Sequence, residues 1–190
     1  MRRRIFIAIN LPEGVRKVLA GFQEKLQDTP ARWTKPENLH ITLAFLGYVN
    51  EEELLFISKT AKGVALENSP FSVKLNKVAY GPPQKMPPRM IWAIGDKSQE
   101  FAFLQRNLEK SLSGQKEFFS PNERKEFCPH ITLARIRQWD WKRIEPEERP
   151  AADYDLNLNF PVDSIEVMES ELKKGGAKYA VLESHKLSKI

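Results

Sequence analysis

The segment HITLAFLG at residues 40–47 is echoed by HITLARI at residues 130–136, and the first five letters are identical. The chain has 190 residues but only three histidines, and two of them open this repeated word. In a strand, alternate side chains share a face, so His40 and Thr42 project together while Ile41 and Leu43 point to the opposite side. His130 and Thr132 repeat the polar row, and Ile131 and Leu133 repeat the apolar one. Packing against a core needs only the apolar row. Repetition of the polar row as well marks it as candidate chemistry.

The order of elements around the two words repeats too. RIFIAI reads as a strand, followed by a helix from about 13 to 27 with Val15, Val18, Leu19, Phe22 and Leu26 on one face. LHITLAFL is the next strand. Asn50 is placed to cap a helix whose first turn holds Glu51, Glu52 and Glu53, where carboxylates favour the positive end of the helix dipole. A strand at about 71–80 closes this half. The second half restarts with RMIWAI, then a helix with Phe101, Leu104, Leu108 and Leu112 on one face, then PHITLARI. A charged segment from about 138 to 153 stands where the first half has a helix. Strands near 156–168 and 178–187 end the chain, with KGGAKY at 174–179 as a hairpin turn. Two β-α-β halves predict an α+β fold with pseudo-twofold symmetry, two antiparallel-type sheets facing a central cleft, and helices outside. We expect one domain over 1–190 with lobes at about 1–80 and 89–190, and GPPQKMPPRM at 81–90 as the hinge between them.

Lys plus Arg number 30 against 25 Asp plus Glu, a formal net charge of +5 that suits polyanionic partners. The single cysteine, Cys128, rules out an internal disulfide and fits a reducing cytoplasm. Arg2, Arg3 and Arg4 precede the apolar run IFIAI, which stops at Asn10 and is too short for a signal peptide; no other run approaches membrane-spanning length. The chain therefore reads as soluble, uncleaved and cytoplasmic, with no membrane partner.

Two imidazoles on opposite sides of a reacting atom suit an in-line displacement, one ring taking a proton from the nucleophile and the other giving one to the leaving oxygen. Histidine fits because its ordinary pKa of roughly 6.5 lets both forms exist near neutrality. A threonine two residues on places a hydroxyl donor against a phosphoryl oxygen as charge develops there. The competing reading is structural: a lone strand histidine is more often a hydrogen-bonding scaffold residue. Two histidines plus a carboxylate also suit zinc or iron, but the sequence has no His-Glu-x-x-His, no His-x-His and no thiol pair. Metal and cofactor are both expected to be none.

Phe45 and Arg135 share an offset of five from their motif histidines and are both flat, so they are candidate substrate-binding residues that sandwich a base. An odd offset points to the helix side unless the strand ends or bulges first, and Phe45 as core with Arg135 in a surface ion pair is the alternative. Arg32, Lys35, Arg124, Lys125 and Arg137 flank the motifs and are placed to track a phosphate backbone. Trp33, Trp139 and Trp141 read chiefly as packing or loop anchors, His185 as structural, and Cys128 as a small packing residue.

RIFIAINLP at 4–12, RWTKPENLHITLAFLG at 32–47, RMIWAI at 89–94 and FCPHITLARI at 127–136 together resemble the 2H phosphoesterases. Within them the likeness is to the RNA 2′,3′-cyclic phosphodiesterases formerly called 2′-5′ RNA ligases, and it spans nearly the whole chain. The resemblance implies His40, Thr42, His130 and Thr132 as the catalytic set. It implies metal-independent hydrolysis of RNA 2′,3′-cyclic phosphate ends, tRNA-like fragments included, to a 2′-phosphate, and ATP-independent ligation in reverse. The expected assembly is a monomer. The two motifs are nearly equivalent, and the reading adopted is His130 as base and His40 as acid. The alternatives are a phosphodiesterase acting on small cyclic nucleotides or 2′-5′ oligonucleotides, and a non-catalytic RNA-binding module.

Overall fold

A computed structural model describes residues 2–83, 85–113, 128–174 and 176–188. In chain order the elements are strand β1 (Arg3–Asn10), helix α1 (Glu13–Lys25), strand β2 (Ala31–Trp33), a 3-10 turn (Pro36–Asn38), β3 (His40–Val49), α2 (Glu51–Leu66), β4 (Phe71–Gly81), β5 (Met90–Gly95) and α3 (Gln99–Leu112). Then follow β6 (His130–Ile136), the short helix α4 (Gln138–Trp141), a 3-10 turn (Pro146–Glu148), β7 (Asp153–Val162), β8 (Ser164–Lys173) and β9 (Gly176–Lys186). The predicted helix starts hold. Asn50 caps α2 through a reciprocal capping box, its Oδ1 accepting from the Glu53 N–H at 2.9 Å while the Glu53 carboxylate accepts from the Asn50 N–H at 2.6 Å.

The strands are antiparallel and ordered β7-β4-β5-β6-β3-β1-β8-β9, with β2 added alongside β6. The two motif strands meet at the centre, where β3 pairs with β6 through Ile41 and Ile131 alone. That narrow seam divides the sheet into two four-stranded halves with a motif strand at the inner edge of each. Ile41, Leu43, Ile131 and Leu133 are buried on the helix side, in one continuous core with Leu19 of α1, Ile57 and Ala61 of α2, and Leu104 and Leu108 of α3. Each fully buried aliphatic side chain contributes about 1.5–3 kcal/mol relative to exposure, so the apolar row of the repeated word anchors both strands.

Two expectations are corrected. The strand expected near 156–168 is two strands, β7 and β8, separated at Asp163: β7 pairs with β4 in one half of the sheet and β8 with β1 in the other. The chain crosses between halves there, a long-range event that apolar periodicity does not register. The proline-rich segment expected to be a hinge joins β4 to β5, which pair antiparallel up to Gly81 opposite Met90, so it closes a hairpin inside one half-sheet. The charged segment 138–153 forms α4 and a 3-10 turn, and Trp141 anchors it by burying against the core.

Candidate active site

The repeated words carry the same irregularity. In β3 the alternation of burial breaks at Leu43 and Ala44, both buried, and in β6 at Leu133 and Ala134. The ladders explain it. On β1, Ile7 faces Ala44 and Ala8 faces Thr42, leaving Leu43 as an extra residue; on β5, Ile91 faces Ala134 and Trp92 faces Thr132, leaving Leu133 extra. A bulge of one residue reverses the facing of everything after it. The odd offset of Phe45 and Arg135 thereby becomes compatible with the histidine face, and both line the same cleft as the motif side chains.

That cleft has a volume of about 460 Å³ and brings His40, Thr42, His130 and Thr132 together. The His40 Nδ1–H donates to the Asn38 carbonyl at 2.7 Å, and the His130 Nδ1–H donates to the Cys128 carbonyl at 2.8 Å. Each carbonyl lies two residues before its histidine. A carbonyl can only accept, so each neutral ring carries its proton on Nδ1 and presents the lone pair of Nε2. The Thr42 hydroxyl meets His40 Nε2 at 2.9 Å. The rings are also held by aromatic neighbours: His130 stacks on Trp92 with centroids 3.8 Å apart, and His40 lies between Phe6 at 5.0 Å and Tyr179 at 5.2 Å. Burial pushes both imidazoles below the ordinary value of 6.5, His40 with a further contribution from His130, while the bonds to the carbonyls oppose the shift.

Arg4, Arg32, Lys35 and Arg135 line the cleft, and among the described residues no Asp or Glu does. The Arg4 guanidinium lies over the Phe45 ring, 4.7 Å from its centroid. Trp33 lines the cleft and also packs on the core. Arg137 instead approaches Asp140 at 3.7 Å, and Arg124 and Lys125 fall outside the described residues. Trp139 is exposed with Arg143 over its ring. His185 sits in β9 beside Glu183, 3.6 Å away, apart from the cleft lining. The half-buried Cys128 thiol is pushed up by burial, away from thiolate reactivity. The sequence reading missed Arg4, Phe6, Asn38 and Tyr179 of the lining and Trp92 behind His130. Arg4 and Phe6 alternate on β1, the strand paired with the first motif, which is a legible signal once that pairing is known. Tyr179 arrives by β8–β9 pairing and leaves no local trace.

Among the described residues no helix is long and apolar enough to cross a membrane. The family model of LigT-like phosphoesterases matches residues 7–92. The chain is 34% identical to the RNA 2′,3′-cyclic phosphodiesterase of Thermus thermophilus, over 97% of this chain and 90% of that protein. It is 29% identical to the protein of the same name from Methanocaldococcus jannaschii, over 94% of this chain and 98% of that one. A crystal structure of a Thermus thermophilus protein superposes with a TM-score of 0.83 at 32% identity, covering 100% of this chain and 99% of the other. The crystal structure of E. coli LigT complexed with 3′-AMP gives a TM-score of 0.78 at 25% identity, with both chains covered in full. With relatives this similar along almost their whole length, the chain belongs to the LigT-like phosphoesterase family.

Proposed function

We propose that the protein is an RNA 2′,3′-cyclic phosphodiesterase that opens the terminal cyclic phosphate to a 2′-phosphate and a 3′-hydroxyl. The observation that carries the reading is that both motif histidines, one from each copy of the repeated word, line a single cleft together with four cationic side chains. The names of the curated relatives support the same substrate.

In the proposed mechanism the His130 Nε2 lone pair takes a proton from water as its oxygen attacks phosphorus. The P–O3′ bond breaks on the opposite side, and protonated His40 delivers its Nε2 proton to the departing 3′-oxygen. Thr42 and Thr132 donate to the non-bridging oxygens, where negative charge develops. With a 5′-hydroxyl in place of water as the nucleophile, the same groups in the same roles join two RNA ends in a 2′-5′ linkage without ATP, the 3′-oxygen again leaving; run backwards, that step cleaves the linkage to a cyclic phosphate. Electrostatic repulsion between the two imidazoles favours the singly protonated pair, the state that holds one acid and one base. Phe45 and Arg135 take the terminal base between them. The chemistry calls on no metal or cofactor. All these groups belong to one chain, so we propose one domain acting as a monomer, and the single cysteine supports a reducing cytoplasm as its location.

The test is incubation of the protein, in EDTA, with a short RNA ending in a 2′,3′-cyclic phosphate, followed by phosphorus NMR. Wild type should yield a 2′-phosphate, and His40→Ala and His130→Ala should each lose about 100-fold or more in rate. Wild-type rates in both variants would overturn the mechanism, and RNA binding without any product would favour a binding module.

A further inference from the structure

Asn38 uses both ends of its structure in the cleft. Its carbonyl accepts the His40 Nδ1 proton at 2.7 Å, and its side-chain Nδ2 donates to the Ala177 carbonyl at 2.8 Å. Ala177 lies at the tip of the β8–β9 hairpin, 139 positions away in sequence. β9 is the outer strand of its half-sheet, and the hairpin supplies Leu172, Gly176, Ala177 and Tyr179 to the cleft lining. Tyr179 then returns to His40, meeting its ring edge-on with centroids 5.2 Å apart. The tip also lies close to β2, since a Cβ on Gly176, whose φ is +121°, would stand 2.7 Å from Arg32 Nη2.

Among the described residues the second motif shows no counterpart of the Asn38–Ala177 bond. His130 has the same carbonyl partner two residues upstream, but that residue is Cys128, whose thiol meets the adjacent Pro129 carbonyl at 3.9 Å. Its ring is held by Trp92, a neighbour on the adjoining strand. The copies share a tautomer-fixing device and differ in what fixes the residue that supplies it.

We propose that Asn38 is a positioning residue that couples the β8–β9 hairpin to His40, so that this wall of the cleft and the Nδ1–H tautomer of the first histidine are set together. The inference rests on His40 acting in proton transfer, the reading given above. Which ring nitrogen carries the proton is decided by the hydrogen bond made at the other, so a shift of the Asn38 peptide changes what Nε2 presents to the substrate. The other groups facing His40 are Thr42 on its own strand, Phe6 from β1, His130 from β6 and Tyr179 from β9, with Arg4 and Arg32 in the same cleft.

The experiment compares wild type with Asn38→Ala and with Asn38→Asp, which keeps the shape and lacks the donor. Protein labelled with nitrogen-15 in histidine is titrated by NMR, and kcat and KM are measured on the cyclic-phosphate RNA across pH. Both variants should show His40 with a mixed tautomer and a displaced titration midpoint, while His130 titrates as in wild type. The kcat should fall roughly 10-fold with KM nearly unchanged. Wild-type tautomer and titration for His40 in both variants would overturn the coupling, as would equal shifts at His40 and His130 or a loss confined to KM. If wild type fails to open the cyclic phosphate, the functional reading falls, and the NMR comparison still decides whether the tie exists.

Discussion

Arg4 covers one side of Phe45: its guanidinium carbon stands 4.7 Å from the ring centroid, and the two residues lie on paired strands. Phe45 is 50% exposed at the cleft, an uncommon position for a large aromatic ring. The cation steadies a ring that is half exposed to the cleft. Stacking a base on an aromatic ring contributes about 1–3 kcal/mol, so Phe45→Ala should raise KM for the cyclic-phosphate substrate by about 10-fold or more. Arg4→Ala should raise it less. Steady-state kinetics of the two variants checks this, and an unchanged KM in Phe45→Ala would count against base stacking at that residue.

The direction of the two histidine shifts sets the pH profile. Both lie below 6.5 because burial disfavours the imidazolium, and the reaction needs one ring protonated and one neutral. The maximum of kcat/KM, which reports the protein without substrate, should therefore fall on the acid side of 6.5. A bound phosphodiester anion favours the charged ring, so the kcat maximum should lie at higher pH than that of kcat/KM. A kcat/KM maximum above 6.5 would contradict the assignment.

The same shifts predict a stability change. The unfolded chain takes up protons on these histidines at higher pH than the folded one, so between the two sets of values it binds more protons. Their stabilising contribution is fully present above 6.5 and is lost as pH falls through the folded values. Tm should decline on acidification below 6.5, and the decline should be shallower in a His40→Ala, His130→Ala double variant. Equal slopes in the two proteins would show that the histidines do not carry the linkage.

Trp92 has two close neighbours. His130 stacks on it at 3.8 Å, and a Cβ placed on Gly81 would stand 2.3 Å from its ring. Gly81→Ala must displace the indole or shift β4 from β5, at a cost of about 1–3 kcal/mol. The same displacement loosens His130. We expect a lowered Tm together with a lowered kcat, whereas Trp92→Phe, which keeps an aromatic face, should retain more of both. Thermal melts and kcat measured on the same preparations check this.

Much of the fold was legible because amphipathic periodicity is a local property. Phe101, Leu104, Leu108 and Leu112 are all buried on α3, and the alternation in HITL placed His40 and Thr42 opposite Ile41 and Leu43. What lay beyond reach depends on pairing. Bulges at Leu43 and Leu133 leave no mark in composition, yet they decide which face Phe45 and Arg135 occupy. Pro161 resembles a strand breaker but sits inside β7, an outer strand where a missing N–H is tolerated, while the real break is at Asp163. Val18 follows the helical period of α1 and is nonetheless exposed, since the core meets a narrower face of that helix than the apolar pattern offers. Asn38 and Tyr179 reach the cleft through contacts with distant parts of the chain, which no window of sequence contains.

The strand order also interlocks the two halves of the chain. β4 leaves the first half to pair with β5, while β8 leaves the second half to pair with β1 and carries β9 on its outer edge. A fragment ending near residue 80 would expose the ladder edge of β1 that β8 covers, and the complementary fragment would expose the edge of β5 that β4 covers. Each fragment is thus the missing partner of the other. A single backbone nick between β4 and β5 leaves two polypeptides clasped by two reciprocal strand exchanges, and the pseudo-twofold cleft is a property of their union that neither can assemble alone.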